Sequence, residues 1–265
     1  RLFLPGDGIE GYAELLKQRG SGKGFNYFNE RVEKLMRDFN QAYLSHKNTY
    51  TRLAYKDDPA VVGLLITNEN DITHHFGNRM LPDKGNPHHS KQFMDRARAF
   101  SQRTGLPQDK TWRAWEPGPS KIFLNDQEHQ FNTRMLAHLK SLGVRVPVAT
   151  TNTWGLMPLC GLPALTDGGW IDCHSYGKAE ALSANPRYQA NFISWIGAAQ
   201  VYGRPLAITE WNVPYPAADR SMAATYLMAI ASLQGWDAPM LYGYAQNRLS
   251  YPRRASQWST YADPA

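Results

Sequence analysis

Short apolar runs alternate with amphipathic stretches along this chain. The runs Val61–Thr67, Val144–Thr150, Trp170–His174, Pro205–Thr209 and Pro239–Tyr244 are continuous and rich in Val, Ile and Leu. Continuous runs of this length fit parallel strands buried on both faces, since a strand with one wet face would alternate. Between them, apolar residues recur at helical spacing. Asn29–His46 brings Val32, Leu35, Met36, Phe39, Ala42 and Tyr43 to one face. Asn125–Leu142 does the same with Phe131, Met135, Leu136 and Leu139, and Gly143 is a natural stop. Ser90–Arg103, ending before Gly105, Tyr188–Tyr202 and Ala217–Leu233 read as further helices.

Strand and helix therefore alternate, which predicts an α/β fold with a parallel sheet. No strand runs into GxGxxG or GxxxxGK[ST], so an open dinucleotide- or phosphate-binding sheet is not indicated. The strands exit instead into Asn68-Glu69, Thr151-Asn152, His174-Ser175-Tyr176 and Glu210-Trp211-Asn212. Polar chemistry at the carboxyl ends of several strands is the habit of the (β/α)8 barrel.

Composition narrows the class. The chain has 265 residues, 42% hydrophobic and 20% charged, which excludes a disordered, collagen-like or coiled-coil chain. No apolar run approaches the roughly 18 residues of a membrane span, and nothing near Arg1 has the pattern of a signal peptide. The net charge is +6, but the basic residues are spread out. Arg248, Arg253 and Arg254 come nearest to a cluster, and no nucleic-acid motif surrounds them. Neither nucleic acid nor membrane is expected as a partner. Cys160 and Cys173 have no zinc spacing and make no disulfide framework; they read as two free thiols, or as one bridge if the protein is exported.

Two segments share one form, an apolar strand with a glutamate at its exit. They are Leu64-Leu65-Ile66-Thr67-Asn68-Glu69 and Leu206-Ala207-Ile208-Thr209-Glu210. A carboxylate directly after buried residues is unfavourable in a sheet core, yet it fits a barrel mouth, where it projects into a pocket. Each glutamate alone could be a strand-end ion pair. Two opposed carboxyls are what a retaining glycosidase needs: one attacks the anomeric carbon, the other protonates the leaving oxygen and then activates water.

With these residues the sequence resembles the clan A glycoside hydrolases, most closely the family 5 cellulase-like members. Tyr55–Val62 followed by Thr67-Asn68-Glu69-Asn70 is similar to the approach to that clan's fourth strand. The resemblance implies that Glu69 is the acid/base and that Asn68 hydrogen-bonds a sugar 2-hydroxyl. Ile208-Thr209-Glu210-Trp211 is similar to the seventh strand, with Glu210 as nucleophile. His174-Ser175-Tyr176 resembles the His-x-Tyr after the sixth strand. Tyr176 would then hydrogen-bond the nucleophile, and His174 would line the sugar subsite. Where many clan members carry a tryptophan platform after the eighth strand, this chain has Leu241-Tyr242-Gly243-Tyr244, so Tyr244 takes the stacking role.

Only five strands are legible, with a possible stub at Leu2-Phe3-Leu4. The chain is therefore expected to be one catalytic barrel over residues 1–265, truncated at its N-terminus and holding strands four to eight.

Other residues carry rival readings. Trp154 and Trp211 are sugar platforms or core. Trp112, Trp115, Trp195 and Trp236 read as core. Asn152 meets sugar hydroxyls or caps a turn. Asp172 reads as a structural hydrogen-bonding carboxylate, Glu116 as a loop residue, and Asp57-Asp58 as turn chemistry. His74-His75 and His88-His89, placed in the loop after Glu69, lack the spacing of a helical metal site.

The expected function is that of a retaining β-glycoside hydrolase on a β-linked glucan or mannan, with no metal or organic cofactor. The alternative is a non-catalytic carbohydrate-binding protein on the same scaffold. A polysaccharide substrate would favour a secreted or periplasmic location.

Overall fold

A computed structural model describes residues 3–111, 116–155, 158–177, 187–188, 191–246, 249 and 257–261. The chain divides into two units, Arg1–Thr151 with Cys160–Gly168, and Asn152–Leu159 with Gly169–Ala265.

The first unit is mostly helical. Helix α1 spans Tyr12–Leu16 and α2 spans Glu30–Leu44. Asn29 starts α2 because its side-chain oxygen accepts from the amides of Arg31 and Val32, at 3.1 and 3.2 Å. Strand β1, Leu64–Leu65, runs parallel to β2, Val148–Ala149. Helix α3 covers Pro87–Thr104 and stops at Gly105, whose φ of 74° suits glycine. Then follow α4, Gln108–Thr111, α5, Pro119–Ser141, and α6, Leu162–Leu165. An aromatic core binds the helices: Phe25, Phe28, Phe93, Phe123 and Phe131 are all buried. Phe93 meets Phe28 and Phe123 edge-on, with centroids 5.3 and 5.4 Å apart.

The second unit holds a four-stranded parallel sheet in the order β3-β4-β5-β6. These strands are Asn152–Thr153, Ile171–Tyr176, Leu206–Asn212 and Ala238–Leu241, and α7 is Arg220–Gln234. The central strands β4 and β5 are largely buried, as their continuous apolar runs predict. At the sheet's edge, β6 leaves Met240 and Leu241 half exposed and tolerates Pro239, which has no amide to donate.

One irregularity shapes β5. Asp172 pairs with Ala207, but the next pair is His174 with Glu210, so β5 spends three steps where β4 spends two. The same extra residue is seen from β6, where Ile208 pairs with Pro239 and Trp211 with Leu241. This is a β-bulge.

The structure departs from the sequence expectation in several elements. The strand expected over Val61–Thr67 narrows to Leu64–Leu65, although Ile66 and Thr67 still donate to the carbonyls of Ala149 and Thr150. No strand forms at Phe3-Leu4, and Leu2 lies outside the described residues. Helix α5 starts at Pro119, because proline suits a first helical turn. The helix expected over Tyr188–Tyr202 is absent from 191–202, which form turns and a short 3-10 helix, Ile196–Ala199. There Asn191 takes the amides of Ile193 and Ser194 on its own side chain, a local competitor to the helix. Trp112, Trp115 and the Arg248, Arg253 and Arg254 group lie outside the described residues. Cys160 and Cys173 are free thiols. No helix among the described residues is long and apolar enough to cross a membrane.

Candidate functional site

Side chains two apart on a strand share a face, so Asp172, His174 and Tyr176 line one side of β4. They meet Thr209 and Glu210 of β5. The Tyr176 hydroxyl donates to Glu210 Oε2 at 2.6 Å, a short bond of the charge-assisted kind. His174 Nδ1 lies 3.5 Å from the same oxygen. Its Nε2 lies 3.1 Å from Thr209 Oγ1 and 3.8 Å from Asp172 Oδ2. The bulge makes this possible, because an unbroken register would pair His174 with Thr209 and move Glu210 one place on.

Asp172 is fully buried and surrounded by donors. The amide of Thr209 reaches Oδ1 at 3.0 Å, and the Thr209 hydroxyl reaches Oδ2 at 2.5 Å. Asn152 Nδ2 also donates to Oδ2. Burial pushes the Asp172 carboxyl above the usual range, opposed by the hydrogen bonds from Thr209 and by the neighbouring His174. The expectation of a structural, hydrogen-bonding Asp172 matches this geometry.

Three expected sugar contacts need correction. Asn152 is completely buried and its amide serves Asp172, so it cannot reach sugar hydroxyls. Trp211 is 2% exposed and offers no ring face. His174 is also buried, and its ring nitrogens face Thr209 and Glu210. Trp154 is half-buried at the exit of β3. Tyr244 is 67% exposed, with its ring edge-on to Tyr261 at 5.8 Å.

Sequence reasoning missed two aromatics beside Tyr176. The Trp258 ring lies 4.7 Å from it and the Tyr242 ring 6.0 Å. Asn212 and Arg220 tie down this neighbourhood. Asn212 Nδ2 donates to the carbonyls of Tyr242 and Trp258, and the buried Arg220 guanidinium donates to Asn212 Oδ1, Val213 O and Ser259 O. Only chain folding brings Trp258 back to β4; no local pattern marks it.

In the first unit, Asn68 is exposed and Glu69 half-buried at the exit of β1. Asn68 lines an open groove of about 330 Å³ together with Asn26, Asn70, Met36 and Phe39. Glu69 has a φ of 47°, in the left-handed region that a non-glycine residue enters at a cost of about 1 kcal/mol or more. The next residue over-determines that conformation. Asn70 is buried; its amide donates to Thr151 Oγ1 at 3.0 Å and its Nδ2 to Asn26 Oδ1 at 3.0 Å. Its Oδ1 accepts from Gly24 N at 2.7 Å, and its carbonyl accepts from the Tyr27 hydroxyl.

The following turn is held by carboxylates. Asp71 accepts from the amides of His74 and His75 and from His75 Nδ1 at 2.6 Å. Burial acts to raise its pKa, but the bond and charge of His75 outweigh that and hold the carboxyl below the usual range. Glu128 Oε1 accepts from Ile72 N at 2.5 Å; burial, and then the Asp71 charge, push its carboxyl well above the usual range. His88 and His89 belong to the first turn of α3, not to a loop. Buried His89 joins Glu14 Oε2 at 2.6 Å to Asn29 Nδ2 at 2.9 Å, so its role is packing of the helix starts.

The sequence matches no family model and no curated protein. Solved structures do match. An endo-β-1,4-mannanase from Thermotoga petrophila aligns with 96% of this chain and 51% of its own, at 14% identity and a TM-score of 0.57. The hyperthermostable endo-1,4-β-D-mannanase from Thermotoga petrophila RKU-1 aligns with 96% of this chain and 67% of its own, at 15% identity and a TM-score of 0.55. An exo-β-agarase aligns with 89% of this chain and 35% of its own, at 14% identity and a TM-score of 0.54. The chain thus spans about half the length of the first of these proteins. At such identities the likeness is one of fold: the chain carries part of a (β/α)8 barrel, the fold of the matched structures.

Proposed function

We propose that this chain supplies the catalytic carboxylates of a retaining β-glycoside hydrolase. The observation that carries the reading is the Tyr176–Glu210 bond, with buried His174 beside it. A carboxylate held by a phenol on a neighbouring strand is oriented for attack, with one oxygen fixed by the bond. Glu210 attacks the anomeric carbon and forms a glycosyl–enzyme intermediate. Glu69 protonates the leaving oxygen, then takes a proton from the water that releases the sugar. The left-handed backbone at Glu69, fixed by Asn70, supports a residue placed for chemistry. Asn68, exposed beside it, is suited to a sugar hydroxyl.

Of the expected glucan and mannan substrates, the fold neighbours named as mannanases favour a β-linked mannan. Tyr244, Tyr242 and Trp258 offer aromatic surface for pyranose rings, whose apolar faces stack on such groups.

The test begins with a hydrolysis screen over β-linked glucose, mannose, xylose and galactose substrates. In Glu210→Ala, hydrolysis of an activated aryl β-glycoside should vanish, and azide should partly restore turnover to the product of inverted configuration. In Glu69→Ala, azide should give the retained product. Undiminished hydrolysis by Glu210→Ala would remove Glu210 from the reaction.

A further inference from the structure

Beneath Glu210 lies a chain of polar groups that the two-carboxylate chemistry does not use. It runs from Asn152 to Asp172, on to Thr209, and from there to His174. All of it belongs to β3, β4 and β5.

A threonine hydroxyl has one proton to give and lone pairs to receive. The contact from Thr209 Oγ1 to Asp172 Oδ2 is 2.5 Å, the length of a hydroxyl donating to a carboxylate. Asp172 also receives the Thr209 amide and the Asn152 amide group, so its oxygens act as acceptors throughout. The Thr209 proton is therefore spent on Asp172. Its oxygen can only accept from His174 Nε2, 3.1 Å away. The second oxygen near Nε2, Asp172 Oδ2 at 3.8 Å, asks for the same proton. On the other side of the ring, Nδ1 faces Glu210 Oε2 at the longer distance of 3.5 Å, and that oxygen already holds the Tyr176 proton. The shorter contact, with an oxygen that cannot donate back, decides the ring: Nε2 carries hydrogen.

We propose that Asp172 and Thr209 are positioning residues that hold His174 protonated at Nε2 and fix its ring against Glu210. This rests on the reading of Glu210 as nucleophile for its catalytic consequence, but not for its tautomer. The bulge supplies the geometry, since it sets Thr209 under the ring while Glu210 stands beside it.

The experiment has two arms. Nitrogen-15 NMR of the imidazole groups, with His174 assigned by its loss in His174→Gln, reads the tautomer in the wild-type protein. Nε2 protonated, alone or together with Nδ1, is the expected result; a bare Nε2 overturns the proposal. The second arm compares Thr209→Val, which keeps shape and loses the hydroxyl, with Thr209→Ser, which keeps the hydroxyl. Thr209→Val should lose the Nε2 preference and lower kcat about tenfold to a hundredfold with KM within about twofold, as for other partners that orient a functional histidine. Thr209→Ser should restore both. Equal tautomer and kcat in Thr209→Val and wild type overturn it. Should Thr209→Val not fold, the wild-type spectrum still decides the tautomer. An Nε2-protonated His174 in a protein without hydrolase activity would defeat the glycosidase reading and leave the positioning chain standing.

Discussion

The Tyr176 phenol donates to Glu210 Oε2 at 2.6 Å, from β4 to its parallel neighbour β5. A phenol bonded to a carboxylate orients it and lowers the need for solvent at that oxygen. Tyr176→Phe removes the bond and keeps the ring against Trp258. We predict a fall in kcat of about tenfold to a hundredfold, with little change in KM. Steady-state kinetics on the best substrate of the screen reads it, and an unchanged kcat would detach Tyr176 from the reaction.

Arg220 is buried and donates to Asn212 Oδ1, Val213 O and Ser259 O. Arg220→Met keeps most of the apolar stem but leaves these acceptors without it. The expected loss is about 2–4 kcal/mol, the scale for removing one partner of a buried charged network. Urea unfolding followed by tryptophan fluorescence measures it. A loss below about 0.5 kcal/mol, the range of neutral surface changes, would mean that the guanidinium does not tie the 257–259 segment to β5.

Glu128 predicts a pH dependence of stability. Its carboxyl is raised well above the ordinary value of 4.5 by burial, then by the Asp71 charge. In the folded chain it therefore keeps its proton to higher pH than in the unfolded chain. Its stabilising contribution is full below 4.5 and is lost as pH rises through the folded value. Glu128→Gln keeps an acceptor for Ile72 and cannot ionise. Across a series of urea melts, the variant should lose less stability than wild type between pH 4.5 and the alkaline end. Parallel curves would contradict the assignment.

The thiols give a simpler check. Cys173 is buried, and burial raises its pKa well above the usual range, with Asp172 adding to it. A thiol that stays protonated and covered reacts slowly. Native protein should show at most Cys160 reacting promptly with a disulfide reagent, and denatured, unreduced protein should show both thiols. A prompt reaction at Cys173 would mean that β4 opens readily.

The polar residues on the strands were legible because they break a strong pattern: a carboxylate after an apolar run stands out at Glu69, past the end of β1, and at Glu210, which the structure places within β5, and His174-x-Tyr176 stands out within β4. The helix Glu30–Leu44 was legible from the spacing of its apolar residues. What failed was local evidence against a tertiary override. Asn191 captures backbone amides and stops a helix that spacing favours. The spacing over Asn125–Leu142 does not reveal that the helix already opens at Pro119, where a missing amide costs little. Trp211 and Asn152 looked like contacts at the strand ends, yet the sheet buries both. Trp258 reaches Tyr176 from far along the chain, and no periodicity carries that information.

The extra residue in β5 also makes a statement about what this strand can tolerate. In a regular strand, odd and even positions are assigned to opposite faces from end to end. Here the parity changes partway: Leu206, Ala207 and Ile208 obey one numbering, Trp211 and Asn212 the other. One strand can thereby be ordinary filling at its beginning and instrument at its end. The consequence is an asymmetry in mutation. Exchanging side chains on β5 alters one contact at a time, whereas deleting a single residue between Ile208 and Trp211 would return the strand to one parity. Deleting Thr209 would leave Glu210 directly after Ile208 and still paired with His174, with the positions beyond it on their present sides, but the hydroxyl facing His174 Nε2 would be gone.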